Sequence, residues 1–123
     1  MLPRKENVIQ EKADAYSDRI VRLYQYLTTT KHENVFSKQI LRSGTSIGAN
    51  VVESRNAQSG RDFVSKLSIA LKEADETAYW LKKLLAGNYI TTTQYESMSN
   101  DNEEIIRILT KIIKTMKQKI ESI

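Results

Sequence analysis

Apolar residues recur along this chain at alternating spacings of three and four, which is the period of an amphipathic helix. The first such segment runs from about Glu6 to Leu27, and a polar connection without apolar rhythm follows at residues 28–34. Only one proline and four glycines interrupt the whole chain, so helical periodicity dominates it. The apolar positions of the first helix form one seam, consisting of Ile9, Ala13, Tyr16, Ile20, Leu23 and Leu27.

The second helix is predicted to begin near Ser37, whose hydroxyl is suited to an N-cap. Gly44 and Gly48 each lower helix propensity by about 1 kcal/mol relative to alanine. We therefore expect a neighbouring helix to approach closely at these two positions. The buried face of this helix is predicted to carry Ile40, Gly44, Ile47 and Val51.

Capping signals mark the starts of two more helices. Ser59 and Asp62 have the spacing of a capping box, and Thr91 with Gln94 can cap a fourth helix. Gly87 is predicted to supply the left-handed residue that ends the third helix. The third seam is Phe63, Leu67, Ala70, Ala74, Thr77, Leu81 and Leu84, and the fourth is Tyr95, Met98, Asn102, Ile105, Leu109, Ile112 and Met116.

Four amphipathic helices with short polar connections indicate an all-α fold, an antiparallel up-down-up-down four-helix bundle. We expect residues 1–123 to form a single domain. No apolar run approaches the ~18 residues of a membrane span, and the start of the chain lacks a signal peptide's apolar stretch. With no cysteine to suggest an oxidising compartment, we expect a cytoplasmic protein without a membrane partner.

Two surfaces remain unexplained once the bundle is packed. The third helix has a second seam, formed by Ile69, Glu73, Glu76 and Trp80, on which Trp80 is either a half-covered edge residue or a subunit contact. The apolar arc of the fourth helix spans roughly 160°, whereas a bundle helix needs about 100°. This excess of apolar area favours an oligomer. The arc consists of Ile105, Ile106, Ile108, Leu109, Ile112, Ile113, Met116, Ile120 and Ile123.

Polar residues follow the side of the second helix that faces away from its seam. They form either a solvated face or a network in which Arg42 or Arg55 pairs with Glu73 and Glu76. Asn102 lies within an apolar seam, where a polar residue can set helix register. The polar positions of the second helix are Arg42, Ser46, Asn50 and Glu53.

The chain's formal charge of +4 is concentrated at one end. Residues 105–123 contain five basic residues and one acidic residue, which accounts for the whole excess. Four of these cations, Arg107, Lys111, Lys114 and Lys117, lie on the side away from the isoleucines, where they could follow phosphates or simply complement the helix dipole. No aromatic residue interleaves with them, so any nucleic-acid binding is predicted to be electrostatic.

The residues that support catalysis are few. His32 is the only imidazole and lies in a predicted loop, and the Glu-x-x-His motif of di-iron bundles is absent. Glu73 and Glu76 could share a proton or hold Mg²⁺, but such a pair on a helix is usually surface charge. The sequence therefore predicts no enzyme, no cofactor and no metal.

Residues 37–54, 62–63 and 67–81 closely resemble the bacterial four-helix-bundle proteins encoded in intervening sequences of 23S ribosomal RNA genes. These proteins are often labelled ribosomal proteins by association, and the resemblance extends over nearly the whole chain. It implies a homopentameric ring, and a related branch of the family serves as the accessory subunit of reverse transcriptases in diversity-generating retroelements. By motif it indicates interface or network positions rather than catalytic ones: Arg42, Asn50, Glu53, Lys72, Glu73, Glu76, Tyr79 and Trp80.

The sequence and the resemblance together lead to one function hypothesis and one alternative. The first is a non-enzymatic, ring-forming bundle that binds RNA or DNA through basic surfaces. Its partner would be ribosomal RNA or another nucleic acid, or a nucleic-acid enzyme such as a reverse transcriptase to which it is an accessory. A ring needs two different surfaces that meet head to tail, which the Trp80 seam and the broad fourth-helix arc would provide. The alternative is a protein-interaction scaffold or accessory subunit that does not bind nucleic acid directly.

Overall fold

The computed structural model describes the backbone of residues 4–122 and the side chains of residues 8–122, so Ile123 of the predicted arc lies outside it. Within this range there are four α-helices and no strand. The prediction of an all-α fold is confirmed. The helices are α1 (Arg4–Thr29), α2 (Phe36–Ser54), α3 (Gly60–Ala86) and α4 (Thr92–Glu121).

Each helix packs against the next helix along the chain, and α4 packs against α1 to close the bundle. Within the described residues, the backbones of the diagonal pairs, α1 with α3 and α2 with α4, do not come as close to each other. Helices that pack against each other are antiparallel, which confirms the up-down-up-down bundle. Between α1 and α4, for example, Lys12 pairs with Glu104, whereas the later Arg19 pairs with the earlier Asp101.

The core follows the predicted seams closely. Every seam residue of α2 and α3 is buried, and in α1 only Leu23 is half-buried. In α4 the seam is buried from Met98 to Ile112, while Tyr95 and Met116 at its ends are half-buried. The apolar period therefore predicts which face of each helix enters the core.

Glycines determine how closely two pairs of helices approach. A Cβ atom on Gly44 would lie 2.7 Å from Ile20 Cγ1, and one on Gly48 would lie 3.2 Å from Ser17 Oγ. The predicted close approach of a neighbouring helix is confirmed, and that neighbour is α1. At Gly60 a Cβ would be 3.4 Å from Ile120 Cδ1, so the last turns of α4 rest against the first turn of α3.

The start of α2 differs from the prediction, because Ser37 is not its N-cap. The helix begins at Phe36, and the carboxylate of Glu33 accepts hydrogen bonds from the backbone N–H groups of Val35, Phe36 and Ser37 at 2.7–3.0 Å. Ser37 is instead buried inside the first turn, where its hydroxyl donates to the Glu33 carbonyl. Burial alone would raise the pKa of Glu33, but these N–H donors outweigh it and lower that pKa.

The ends of α3 agree only in part with the predicted capping residues. Ser59 caps the helix as predicted by accepting from the Asp62 N–H, but the Asp62 carboxylate accepts from the Gln58 N–H rather than from Ser59. The left-handed residue at the other end is Asn88, with φ 61°, whereas Gly87 has φ −83°. The prediction for Gly87 is therefore wrong, since asparagine also tolerates this conformation.

The start of α4 has the predicted cap. Thr91 accepts a hydrogen bond from the Gln94 N–H at 3.1 Å, and the Gln94 side chain accepts from the Thr91 N–H at 2.9 Å. Two of the free N–H groups at this helix start are thus satisfied reciprocally.

Candidate functional site

A guanidinium group joins α2 to α3 on one side of the bundle. Arg42 donates through Nη1 to Glu73 Oε2 at 3.1 Å and through Nη2 to Glu76 Oε2. The Glu76 carboxylate also accepts from the indole Nε1 of Trp80 at 3.0 Å. One carboxylate oxygen therefore positions both the arginine and the tryptophan. Arg55, the other candidate partner, donates instead to Gln10 Oε1 of α1.

Aromatic rings continue this surface toward the start of α2. The Phe36 and Trp80 rings stack with centroids 6.0 Å apart, and Tyr79 meets Trp80 edge to face at 5.0 Å. Trp80 and Phe36 are half-buried, whereas Tyr79 is 51% exposed and carries Lys83 over its ring. We call this surface the α2–α3 face, defined by Phe36, Arg42, Glu73, Glu76, Tyr79 and Trp80.

A buried hydrogen bond lies beneath the charged part of the α2–α3 face. The hydroxyls of Ser43 and Thr77 are 2.9 Å apart, and both residues are fully buried. Thr77 Oγ1 also lies 2.8 Å from the carbonyl oxygen of Glu73. This bond ties α2 to α3 one layer below Arg42 and holds the carboxylate-bearing turn of α3 in place.

Three predicted site residues lie apart from this network. Asn50 donates to the Ser46 carbonyl of its own helix at 2.9 Å. Glu53 and Lys72 are exposed, and within the described residues neither side chain makes a hydrogen bond or ion pair. The structure thus brings together only part of the set that the motif indicated.

The four cations of α4 share a second surface, which we call the α4 stripe: Arg107, Lys111, Lys114 and Lys117. All four are exposed, and none forms an ion pair within residues 8–122. Two carboxylates of α4 differ from these cations, because Asp101 and Glu104 pair with cations of α1 at 2.6 and 3.2 Å. Both pairs lie in the first half of α4, whereas the cations of its second half are unpaired within the described residues.

Comparison with known proteins places these surfaces in a family. The family model described as 23S rRNA-intervening sequence protein matches residues 5–111. The chain belongs to the 23S rRNA-intervening sequence protein family. The match includes the whole α2–α3 face, whereas Lys114 and Lys117 of the α4 stripe lie beyond its end.

A protein of known structure has nearly the same fold as this chain. It is described as a protein of unknown function from the S23 ribosomal protein family of Bacteroides thetaiotaomicron, and its crystal structure was determined at 1.70 Å resolution. The two chains are 55% identical, with a TM-score of 0.89 over 89% of this chain and 98% of the other. No curated protein matches the chain.

Four residues that form or support the α2–α3 face were not predicted as site residues from the sequence. Phe36 and Tyr89 complete the aromatic cluster, with centroids 6.5 Å apart, and Ser43 and Thr77 form the buried hydrogen bond. A signal for the second pair was present in the sequence. Thr77 is a polar residue in an otherwise apolar seam, and such a residue needs a partner when buried.

Asn102 is the other polar residue in a seam, and it ties α4 to α3. Its Nδ2 donates to the Ala74 carbonyl at 2.9 Å, while its buried Oδ1 has no partner among the described residues. One turn away the Tyr16 hydroxyl donates to the Met98 carbonyl, and burial together with the Asp101 carboxylate raises the pKa of that phenol. These bonds set the register of α4 against its two neighbours.

The described residues hold no group of three or more histidine, cysteine, aspartate or glutamate side chains that could bind a metal ion. None of the helices in the described range is long and apolar enough to cross a membrane. His32 lies in the connection after α1 with φ 54° and is exposed. The features that distinguish the surface are therefore the α2–α3 face and the α4 stripe.

Proposed function

We propose that this member of the 23S rRNA-intervening sequence protein family is a non-enzymatic oligomer, a homopentameric ring, that binds RNA or DNA through its α4 stripes. Its partner is ribosomal RNA or another nucleic acid, or a nucleic-acid enzyme such as a reverse transcriptase to which it is an accessory. A ring of five copies presents five stripes, so contacts that are weak singly act together.

The proposal of nucleic-acid binding rests on the exposure of four cations along α4. Arg107, Lys111, Lys114 and Lys117 repeat every three or four residues, so their side chains follow one line of the helix surface. Cations already paired with carboxylates would gain little from a phosphate, but these have no such partner within the described residues. A line of free cations favours contact with a phosphate backbone.

The α2–α3 face supports the oligomeric half of the proposal. Tryptophan, tyrosine and arginine are the residue types that dominate binding energy at protein interfaces, and Arg42, Tyr79 and Trp80 supply all three. Arg42 pairs with both Glu73 and Glu76 and offsets one of their two negative charges, which lowers the penalty of removing these carboxylates from water. We assign this face to one of the two surfaces that meet between neighbouring copies.

Nucleic-acid binding is tested by fluorescence anisotropy with a labelled RNA hairpin over a range of salt concentrations. Four phosphate contacts give a log–log salt slope of about −3.6, so affinity falls about 100-fold between ~50 and ~200 mM salt. Replacing the four stripe cations by glutamine abolishes most of this dependence. An unchanged salt slope in that variant contradicts the assignment of the stripe.

The oligomer is tested by light scattering on the wild type and two single variants at micromolar concentration. Tyr79→Ala removes an exposed ring of the α2–α3 face and is expected to shift the ring toward monomer. Val21→Ser, at an exposed apolar residue of α1, serves as the matched control and is expected to leave the ring intact. A monomeric wild type excludes the ring.

A second candidate function is a protein-interaction scaffold in which the cations only keep the protein in solution. The absence of exposed aromatic residues from the α4 stripe, set against the aromatic α2–α3 face, favours this alternative. Co-purification from cells with and without nuclease separates the two functions. A scaffold keeps its partners after nuclease treatment, whereas a nucleic-acid-binding ring loses them.

A further inference from the structure

A cleft of about 280 Å³ lies where the last turns of α4 meet the first turn of α3. Gly60 creates this contact, because its lack of a side chain lets Ile120 rest directly on α3. The cleft therefore joins two helices that are far apart in sequence at this point. Its lining residues are Arg61, Val64, Lys117, Ile120 and Glu121.

Two cations from different helices converge on this cleft. Arg61 of α3 and Lys117 of α4 are both exposed, and neither is in an ion pair within the described residues. The Glu121 carboxylate also lines the cleft, so the two cations outnumber the carboxylate and the cleft keeps a positive excess. An anionic group is the ligand that this arrangement favours.

The floor of the cleft is apolar. Val64 is 9% exposed and Ile120 is half-buried, so their side chains form a fixed wall of the cleft. Arg61 and Lys117 remain exposed to water, so the attraction that they offer an anion is screened by salt. A volume of about 280 Å³ admits a phosphodiester group together with water molecules that remain around it.

We propose that the Arg61–Lys117 cleft is a phosphate subsite that extends the α4 stripe sideways onto α3. Its ligand is a phosphodiester of an RNA or DNA backbone, and this inference rests on the proposed nucleic-acid binding. Lys117 is shared between the stripe and the cleft, so the bound backbone leaves the line of α4 at this residue. Arg61 is the new contact, and it holds the backbone across two helices rather than along one.

The test measures the salt dependence of binding to a double-helical RNA hairpin for the wild type, Arg61→Gln and Arg22→Gln. Arg61→Gln removes one phosphate contact, so the slope falls by about 0.9 and affinity falls about 5- to 10-fold near ~0.1 M salt. Arg22→Gln, at an exposed arginine of α1, is the matched control for a change in net charge and leaves the slope unchanged. Arg61→Lys restores the slope, and a DNA hairpin of the same sequence shows which backbone is preferred.

Equal weakening by Arg61→Gln and Arg22→Gln overturns the subsite, and so does binding by Arg61→Gln that equals the wild type. If the wild type binds no nucleic acid, the proposed function fails, and the cleft is then tested with inorganic tripolyphosphate by amide chemical shifts. Shifts confined to residues 61, 64, 117 and 120, and absent in Arg61→Gln, support an anion subsite. Equal shifts at all exposed lysines, or none in the cleft, overturn it.

Discussion

The α2–α3 face and the α4 stripe both include charged residues three or four positions apart on one helix, yet these charges behave in opposite ways. Glu73 and Glu76 of α3 point toward the neighbouring helix and share Arg42. The cations of the α4 stripe are exposed to water, and none is paired with a neighbouring helix within the described residues. Charged residues three or four positions apart on a helix therefore form either a fixed network or a free surface, depending on which side of the helix they occupy.

The two surfaces also differ in what holds them. Ion pairs on a half-exposed surface contribute about 0–1 kcal/mol each, so the Arg42 pairs orient side chains more than they stabilise the fold. The stability of the α2–α3 face comes from its packed rings and from the buried bond between Ser43 and Thr77. The α4 stripe has neither, so changes there should leave the fold intact.

Trp80→Ala is the largest expected perturbation of the α2–α3 face. It removes the ring that stacks on Phe36 and the Nε1 donor to Glu76, and we expect a loss of about 2 kcal/mol because the site is half-buried. Urea unfolding measures the loss. Trp80→Phe keeps the stacked ring but not the donor and should recover more than half of it; equal losses in both variants would show that the hydrogen bond, not the ring, dominates.

Gly44→Ala perturbs the α2–α3 face indirectly, because it displaces α2 on the side that packs against α1. The new Cβ would meet Ile20 Cγ1 at 2.7 Å, so overpacking outweighs the gain in helix propensity and costs about 1 to 2 kcal/mol in urea unfolding. Gly60→Ala is the control, since its Cβ would make an ordinary contact at 3.4 Å with Ile120 and change stability by less than about 0.5 kcal/mol. A stable Gly44→Ala variant would mean that α1 and α2 can move apart freely.

Glu33→Gln tests the cap that starts α2 and therefore positions Phe36. An amide accepts fewer of the three N–H groups, so we expect a loss of about 1 kcal/mol at pH 7. The pKa of Glu33 is lowered in the folded protein, so its stabilisation is present above the ordinary glutamate value of about 4.3 and disappears as pH falls through the folded pKa. The free energies of unfolding of the wild type and the variant should therefore converge in acid. A difference that widens there would show that the pKa of Glu33 is raised on folding rather than lowered.

Replacing Arg107, Lys111, Lys114 and Lys117 together by glutamine is expected to have the smallest effect on stability. All four are exposed and unpaired within the described residues, so urea unfolding should change by less than about 0.5 kcal/mol. RNA binding measured on the same samples should nevertheless be lost. A large loss of stability would show that the α4 stripe is structural after all, and the contrast between the two surfaces would disappear.

Capping residues show where prediction from sequence succeeds and where it fails. Ser59 and Thr91 accept from backbone groups three residues ahead, which is a local pattern that the sequence displays. Ser37 fails as a cap because Glu33, four residues earlier, reaches the same backbone groups. Gly87 fails because Asn88 adopts the left-handed conformation instead. Each error arises where a second residue close in sequence can make the same capping interaction or adopt the same backbone conformation.

The candidate site was predictable only in part. The second seam of α3 and the polar side of α2 indicate that Arg42, Glu73, Glu76 and Trp80 could meet, because both lie beside a core seam. The stacking of Phe36 on Trp80 and the bond between Ser43 and Thr77 depend on the relative rotation and height of two helices. No local pattern specifies that offset.

Hydrophobic period, chain length and capping signals were enough to establish four helices, their buried faces and their antiparallel order. These features depend on residues close together in sequence, where helix geometry relates spacing directly to direction. The pairing of charges depends on residues that are distant in sequence, so only packing between helices decided it. That packing joined Arg42 to two carboxylates, paired Asp101 and Glu104 of α4 with cations of α1, and placed Arg61 and Lys117 on one cleft.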